Sequence, residues 1–184
     1  MVRWQPGALE RLSAAALDLF EQQGYEQTTV AQVAERAGVT ERTFYRYFGD
    51  KREVLFSGRE ALEQALVDAV AASTSTDAAD LIDGALAALA GYFPDQRRAF
   101  ARRRQAVLES DPALLERELL KLQSLRTVMA DALTRRGLDD QRAELVAATV
   151  GTVFHTAFAR WLTGADMAAA QSDALAELRA IVAG

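Results

Sequence analysis

Between residues 28 and 51 the chain gathers side chains that donate hydrogen bonds or carry positive charge: Thr28, Thr29, Thr40, Arg42, Thr43, Tyr45, Arg46, Tyr47 and Lys51. The segment holds no nucleophile with an adjacent base, so its chemistry is binding rather than bond breaking. An arginine fork matches the O6 and N7 acceptors of guanine, and hydroxyls match phosphate oxygens. The first turn of a helix adds free backbone N–H groups and the positive end of its dipole, which suits a phosphate. Arg42 falls in such a turn when Thr40 is the helix cap.

Other chemistries find little support. The chain has no cysteine, which excludes a disulfide, a thiol nucleophile and a thiolate metal site. His155 is the single histidine, so a multi-histidine metal site is excluded. Serine, histidine and aspartate occur without a nucleophile turn or a Gly-rich phosphate loop, and the Glu-x-x-His signature of a di-iron bundle is absent. We expect no enzyme, no cofactor and no metal.

The elements that must position these residues are helices. The chain has 184 residues and 20.0 kDa, half of them hydrophobic and 26% charged, a globular balance with only three prolines. Apolar periodicity, caps and glycine stops predict helices over 7–23, 30–37, 41–48, 51–72, 81–93, 95–109, 112–136, 140–163 and 166–182. Residues 73–77 read as a linker. The expected class is all-α, with about nine helices, no strand and no repeat. In the helix over 112–136 the buried stripe is expected to be Leu115, Leu119, Leu122, Leu125, Met129 and Leu133. The longest uncharged stretch, 145–159, falls short of the ~18–20 apolar residues of a membrane span. No signal-peptide pattern opens the chain. The expectation is a cytoplasmic protein with no membrane partner.

The two short helices around Gly38 carry the steric pattern of a helix-turn-helix. Val33, Ala34 and Ala37 face inward on the first. Gly38 permits a positive φ and Val39 plugs the corner. Phe44, Tyr47 and Phe48 pack the second helix onto the first, while Glu41, Arg42, Thr43, Tyr45 and Arg46 face out. In such a unit the second helix enters the major groove of DNA. Residues 1–52 carry seven basic and seven acidic side chains, and the whole excess of the net charge of -5 lies beyond them. An acidic chain gains nothing from its overall field in approaching nucleic acid, so any binding must come from this local face.

The run GYEQTTVAQVAERAGVTERTFYRYFGDKREVLF resembles the DNA-binding domain of TetR-family transcriptional regulators, the match extending over about residues 8–57. The resemblance implies a helix-turn-helix domain over 1–50 and a helical ligand-binding and dimerisation domain over 51–184. It implies a homodimer on a palindromic double-stranded DNA operator, acting as a repressor released by a small ligand. Carried over by position, Thr28 or Thr29, Thr40, Tyr45, Tyr47 and Lys51 match phosphate contacts, and Arg42, Thr43 and Arg46 match base-reading positions. A small residue or glycine is common in the family where Arg42 stands, so the arginine implies added base specificity. Arg3 in the N-terminal arm reads either as a minor-groove contact or as part of a frayed terminus. The competing reading is a helical interaction module or adaptor whose helix-turn-helix no longer binds DNA.

Beyond the motif, Phe93, Phe100, Val107, Met129, Phe154 and Phe158 are expected to line a pocket for a small, largely apolar effector. Its one acidic or carbonyl group would sit near Arg104 or His155. Arg97-Arg98 and Arg102-Arg103-Arg104 otherwise read as a solvated face. The helix over 140–163 is apolar on two faces: Leu145, Ala148, Thr152 and Ala159 on one, Val146, Val150, Phe154 and Trp161 on the other. Such a helix needs two partners. The first face is assigned to the same helices of a second subunit, in a four-helix bundle about a two-fold axis.

Overall fold

The fold is that of a computed structural model, in which residues 7–184 are described. Among the described residues nine α-helices follow one another: α1 Ala8–Gln23, α2 Val30–Arg36, α3 Glu41–Tyr47, α4 Arg59–Ala72, α5 Ala78–Tyr92, α6 Arg98–Glu109, α7 Pro112–Arg135, α8 Asp140–Leu162 and α9 Met167–Ala183. Two short 3-10 helices, Arg52–Phe56 and Asp95–Arg97, precede α4 and α6. No strand occurs among the described residues, so the class is all-α, as the periodicity predicted. Arg3 lies outside the described residues.

The helix predicted from Lys51 to Ala72 is interrupted. Asp50 does cap its start, accepting from the N–H groups of Arg52 and Glu53 at 2.8 and 3.0 Å. The first turn is 3-10, however, and the chain breaks at Gly58, whose φ of 89° no other residue type adopts freely. Val54, Leu55 and Phe56 are all buried, more than one stripe of an α-helix can turn inward at that spacing.

The chain divides into two compact units. One comprises the residues up to Gly58 together with Arg102–Glu118; the other comprises Arg59–Ala101 and Leu119–Gly184. The core of the first joins Leu12, Ala16 and Phe20 of α1 to Val33, Phe44, Phe48, Val54 and Phe56, with Val107, Leu108 and Leu114 from the inserted segment. Burying each of the leucine, valine and phenylalanine side chains stabilises the unit by roughly 1.5–3 kcal/mol. The core of the second is built on α8, where Ala143, Val146, Val150, Val153 and Trp161 meet Leu81 and Leu89 of α5, Met129 and Leu133 of α7, and Met167 and Leu175 of α9.

Residues 102–118, read from sequence as part of a ligand domain, are tied to the first unit by charge as well as by packing. Arg103 pairs with Asp18 and Glu21 of α1, each at 2.5 Å. Arg104 pairs with Glu118 at 2.8 Å, donates to the carbonyl of Leu55 and lies over the Phe56 ring. Arg117 pairs with Glu53 at 2.9 Å. Arg103 and Arg104 are therefore not a solvated face; each lies against a carboxylate.

The stripe expected along α7 is only half right. Met129 and Leu133 are buried and Leu125 packs against the second core, but Leu115, Leu119 and Leu122 are exposed, Leu119 to 59%. Leu114 turns inward in place of Leu115. The helix passes from one unit to the other at Leu119, so no single core follows its stripe from end to end. α8 is long and apolar enough, by length and composition, to cross a membrane. Here its Val146, Val150, Val153 and Trp161 face is occupied by α5, α7 and α9 instead.

Candidate nucleic-acid interface

Three short-range devices shape the helix-turn-helix. Thr29 caps α2 by accepting from the N–H of Gln32, while Gln32 Oε1 accepts from the N–H of Thr29 at 2.9 Å, a reciprocal capping box. The turn after α2 closes with two bonds, Val39 N–H to Ala34 O at 2.9 Å and Gly38 N–H to Glu35 O at 3.0 Å, with Gly38 at φ 67°. Thr40 then caps α3, accepting from the N–H of Thr43 at 3.2 Å. Phe44 and Phe48 are buried, with rings 5.1 Å apart, and seat α3 against α1 and α2. Arg11 donates to the carbonyl of Ala37 at 3.1 Å and so fastens the end of α2 to α1.

Opposite the buried face, α3 presents Glu41, Arg42, Tyr45, Arg46 and Tyr47 to solvent, with Thr43 half-buried. The Arg46 guanidinium lies 4.9 Å from the centroid of the Tyr47 ring and donates to the Tyr47 hydroxyl at 3.3 Å. The Thr43 hydroxyl stands 3.1 Å from that of Thr40. The row combines fork-shaped donors with hydroxyls on a helix held rigidly from behind, the arrangement that reads base edges and fixes phosphates.

Two of the expected contacts are placed differently. Thr28 is only 1% exposed; its hydroxyl donates to the carbonyl of Gly24 at 2.8 Å and accepts from Gln23 Nε2 at 3.2 Å. Of the pair Thr28 and Thr29, only Thr29 faces out. Lys51 is half-buried, and its ammonium donates to the carbonyls of Tyr25 and Thr28 at 2.7 and 3.0 Å. Those bonds join the loop between α1 and α2 to the segment after α3. Arg11, Gln23 and the Arg103–Arg104–Arg117 set hold the unit together and were missed from sequence. Only the Thr29-x-x-Gln32 box had a local signal.

The amino-terminal family model of bacterial regulatory proteins of the tetR family matches residues 12–57, and the MftR C-terminal domain model matches residues 76–183. The chain belongs to the TetR family. Among its relatives, the HTH-type transcriptional regulator TcmR of Streptomyces glaucescens is 29% identical over 167 residues, covering 85% of this chain and 74% of TcmR. MftR of Mycobacterium tuberculosis is 27% identical over 82% of this chain and 78% of its own. The TetR-family repressor FadR of Thermus thermophilus, solved with lauroyl-CoA, shares the fold with a TM-score of 0.55 and 22% identity, over 91% of each chain. The protein is thus a DNA-binding transcriptional regulator, and α3 is the second helix of its helix-turn-helix.

In this TetR-family regulator the residues expected to line a pocket do not all come together. Phe93, Phe154 and Phe158 do, with ring centroids 5.3–5.6 Å apart, and Met129 is buried in the same core. Arg104 and Val107 belong to the other unit. Phe100 and His155 are exposed, on the outer sides of α6 and α8, because neither falls in the buried stripe of its helix. A groove of about 310 Å³ opens elsewhere in the second unit, lined by Ile82, Thr149, Leu175, Leu178, Arg179 and Val182.

The two faces of α8 are also separated. Val146, Val150, Phe154 and Trp161 are core. Leu145 is 61% exposed, Thr152 and Ala159 are exposed, and Ala148 is half-buried. The hydroxyls of Thr149, Thr152 and Thr156 on the open side each donate to the carbonyl four residues earlier, at 2.8–3.1 Å. No hydroxyl proton there calls for an outside acceptor, which suits close approach of another helix.

Proposed function

We propose that this regulator is a cytoplasmic, ligand-released repressor that binds a palindromic double-stranded DNA operator as a homodimer. DNA recognition resides in residues 1–50, and effector binding and dimerisation in 51–184. The observation that carries the DNA side is the outward row of α3. Arg42 and Thr43 read bases, with Arg46 beside them; Thr29, Thr40, Tyr45 and Tyr47 hold phosphates. Lys51 acts on DNA by holding the loop that presents Thr29.

The open face of α8, with Leu145, Ala148, Thr152 and Ala159, supports dimerisation through a bundle of helices from two subunits. Two-fold DNA geometry demands recognition helices about 34–36 Å apart. An effector that prefers a different separation shifts the population away from DNA. An architecture of this kind holds lauroyl-CoA in FadR, so a largely apolar effector is in keeping with the fold. Selection of bound sequences from a random duplex pool tests the reading. We expect an inverted repeat with half-sites one helical turn apart; recovery of unrelated sequences would sink it.

A further inference from the structure

Among the described residues the second unit holds four buried side-chain donors without a partner, on Arg98, Arg136, Trp161 and Gln171, and those of Arg98 and Trp161 belong to side chains in contact. Trp161 is fully buried, and its indole Nε1–H has no acceptor. The guanidinium of Arg98 lies 5.5 Å from the centroid of the Trp161 ring, and its Nε–H is likewise buried without an acceptor. The rest of the Arg98 fork is engaged, its Nη2 donating to Asp95 at 2.5 Å and to the carbonyl of Ala165 at 2.8 Å. A buried donor left unpaired forfeits its hydration with no return, so the pair calls for an acceptor. Both groups only donate; the missing partner is an oxygen.

The surroundings define what carries that oxygen. The ring of Phe93 packs against Phe154, Phe158 and Trp161 at 5.3, 5.4 and 5.6 Å. The last three stand on one face of α8, inside a helix. Phe93 alone is off it, at the non-helical end of α5, and is half-buried. It is the one ring of the four that can leave without unwinding a helix.

We propose that the effector is an apolar carboxylic acid. Its carboxylate accepts from Trp161 Nε1–H and Arg98 Nε–H, and its apolar body replaces the Phe93 ring against Phe154 and Phe158. This rests on the ligand-released reading above and names the ligand class that reading left open. It also supplies a lever. Arg98 is the first residue of α6, and α6 runs on without interruption to Arg103 and Arg104, which grip α1 and the carbonyl of Leu55. An acid that reorients Arg98 acts on the helix that carries both grips.

The chain has two tryptophans, Trp4 and Trp161, so Trp4→Phe leaves Trp161 as the sole reporter. With this variant of the full chain, decanoate and 4-phenylbutyrate should change the emission saturably. Decyltrimethylammonium, an apolar chain with the opposite charge, should not. Arg98→Gln should weaken acid binding tenfold or more, and Phe93→Ala, which removes the plug, should tighten it. Two results overturn the proposal: no saturable response to either acid, or equal responses to the acids and the ammonium. Saturable acid binding that leaves affinity for the selected duplex unchanged upholds the site and overturns the release mechanism, which keeps the two failures distinguishable.

Discussion

The ammonium of Lys51 hydrogen-bonds the carbonyl oxygen of Tyr25 at 2.7 Å and stands over the same residue's ring, 4.1 Å from its centroid. It also reaches the carbonyl of Thr28. A residue expected on phosphate is thereby part of the frame. Lys51→Met should cost the DNA-binding unit about 1.5–3 kcal/mol in a urea melt, the range for hydrogen bonds to a charged group. Unchanged stability with a salt slope of DNA binding shallower by about one would return Lys51 to the phosphates.

Tyr25 titrates late. Burial pushes its phenol up to about 12; the carboxylates of Asp50, Glu26 and Asp111 add to the effect and Arg52 opposes it. A raised acid pKa means the folded state keeps a proton that the unfolded chain gives up. This contribution is complete below about pH 10, declines between about 10 and 12, and is lost above. Urea midpoints at pH 9 and pH 11 should therefore differ less in Tyr25→Phe than in the wild type. An equal difference in both would show that Tyr25 is not the group responsible.

Arg42→Ala should relax the preference at one base position and cost about 1–3 kcal/mol there, leaving the other positions as they were. Binding of the selected duplex and of its single-position variants measures this. Uniform weakening across all of them would make Arg42 a phosphate contact.

Arg104→Met removes the partner of Glu118 and the donor to Leu55 together. The side chains of Arg104 and Glu118 are each 20% exposed, so the pair is partly desolvated. A loss of about 1–3 kcal/mol is expected. Amide exchange should accelerate within 102–118 and across Arg52–Phe56 while the exchange of α8 and α9 stays unchanged. Uniform acceleration over the whole chain would mean that these arginines do not define a local unit.

Thr152→Arg places a charged, bulky side chain in the middle of the open face of α8. The wild type should behave in equilibrium sedimentation as twice its 20.0 kDa chain, and the variant as one chain that has lost cooperative binding to the palindrome. A monomeric wild type at micromolar concentration would remove the basis for the dimer.

The helix-turn-helix and the run of nine helices were legible in the residues because their causes are local. Apolar residues at helical spacing, the Thr29 and Gln32 capping box, and Gly38 at a positive-φ turn each act within about one helical turn. Tertiary structure alone decided the rest. Periodicity shows that α8 has two apolar faces but not which one the other helices will cover. A stripe on α7 does not reveal that its helix leaves one core for another, stranding Leu119 in solvent. Arg103 reaches Glu21 across 82 residues, and Lys51 reaches Tyr25 across 26. A cation's type and neighbours in sequence are the same whether it meets a phosphate, a ligand or a carbonyl. Only the distant chain brought within its reach determines which.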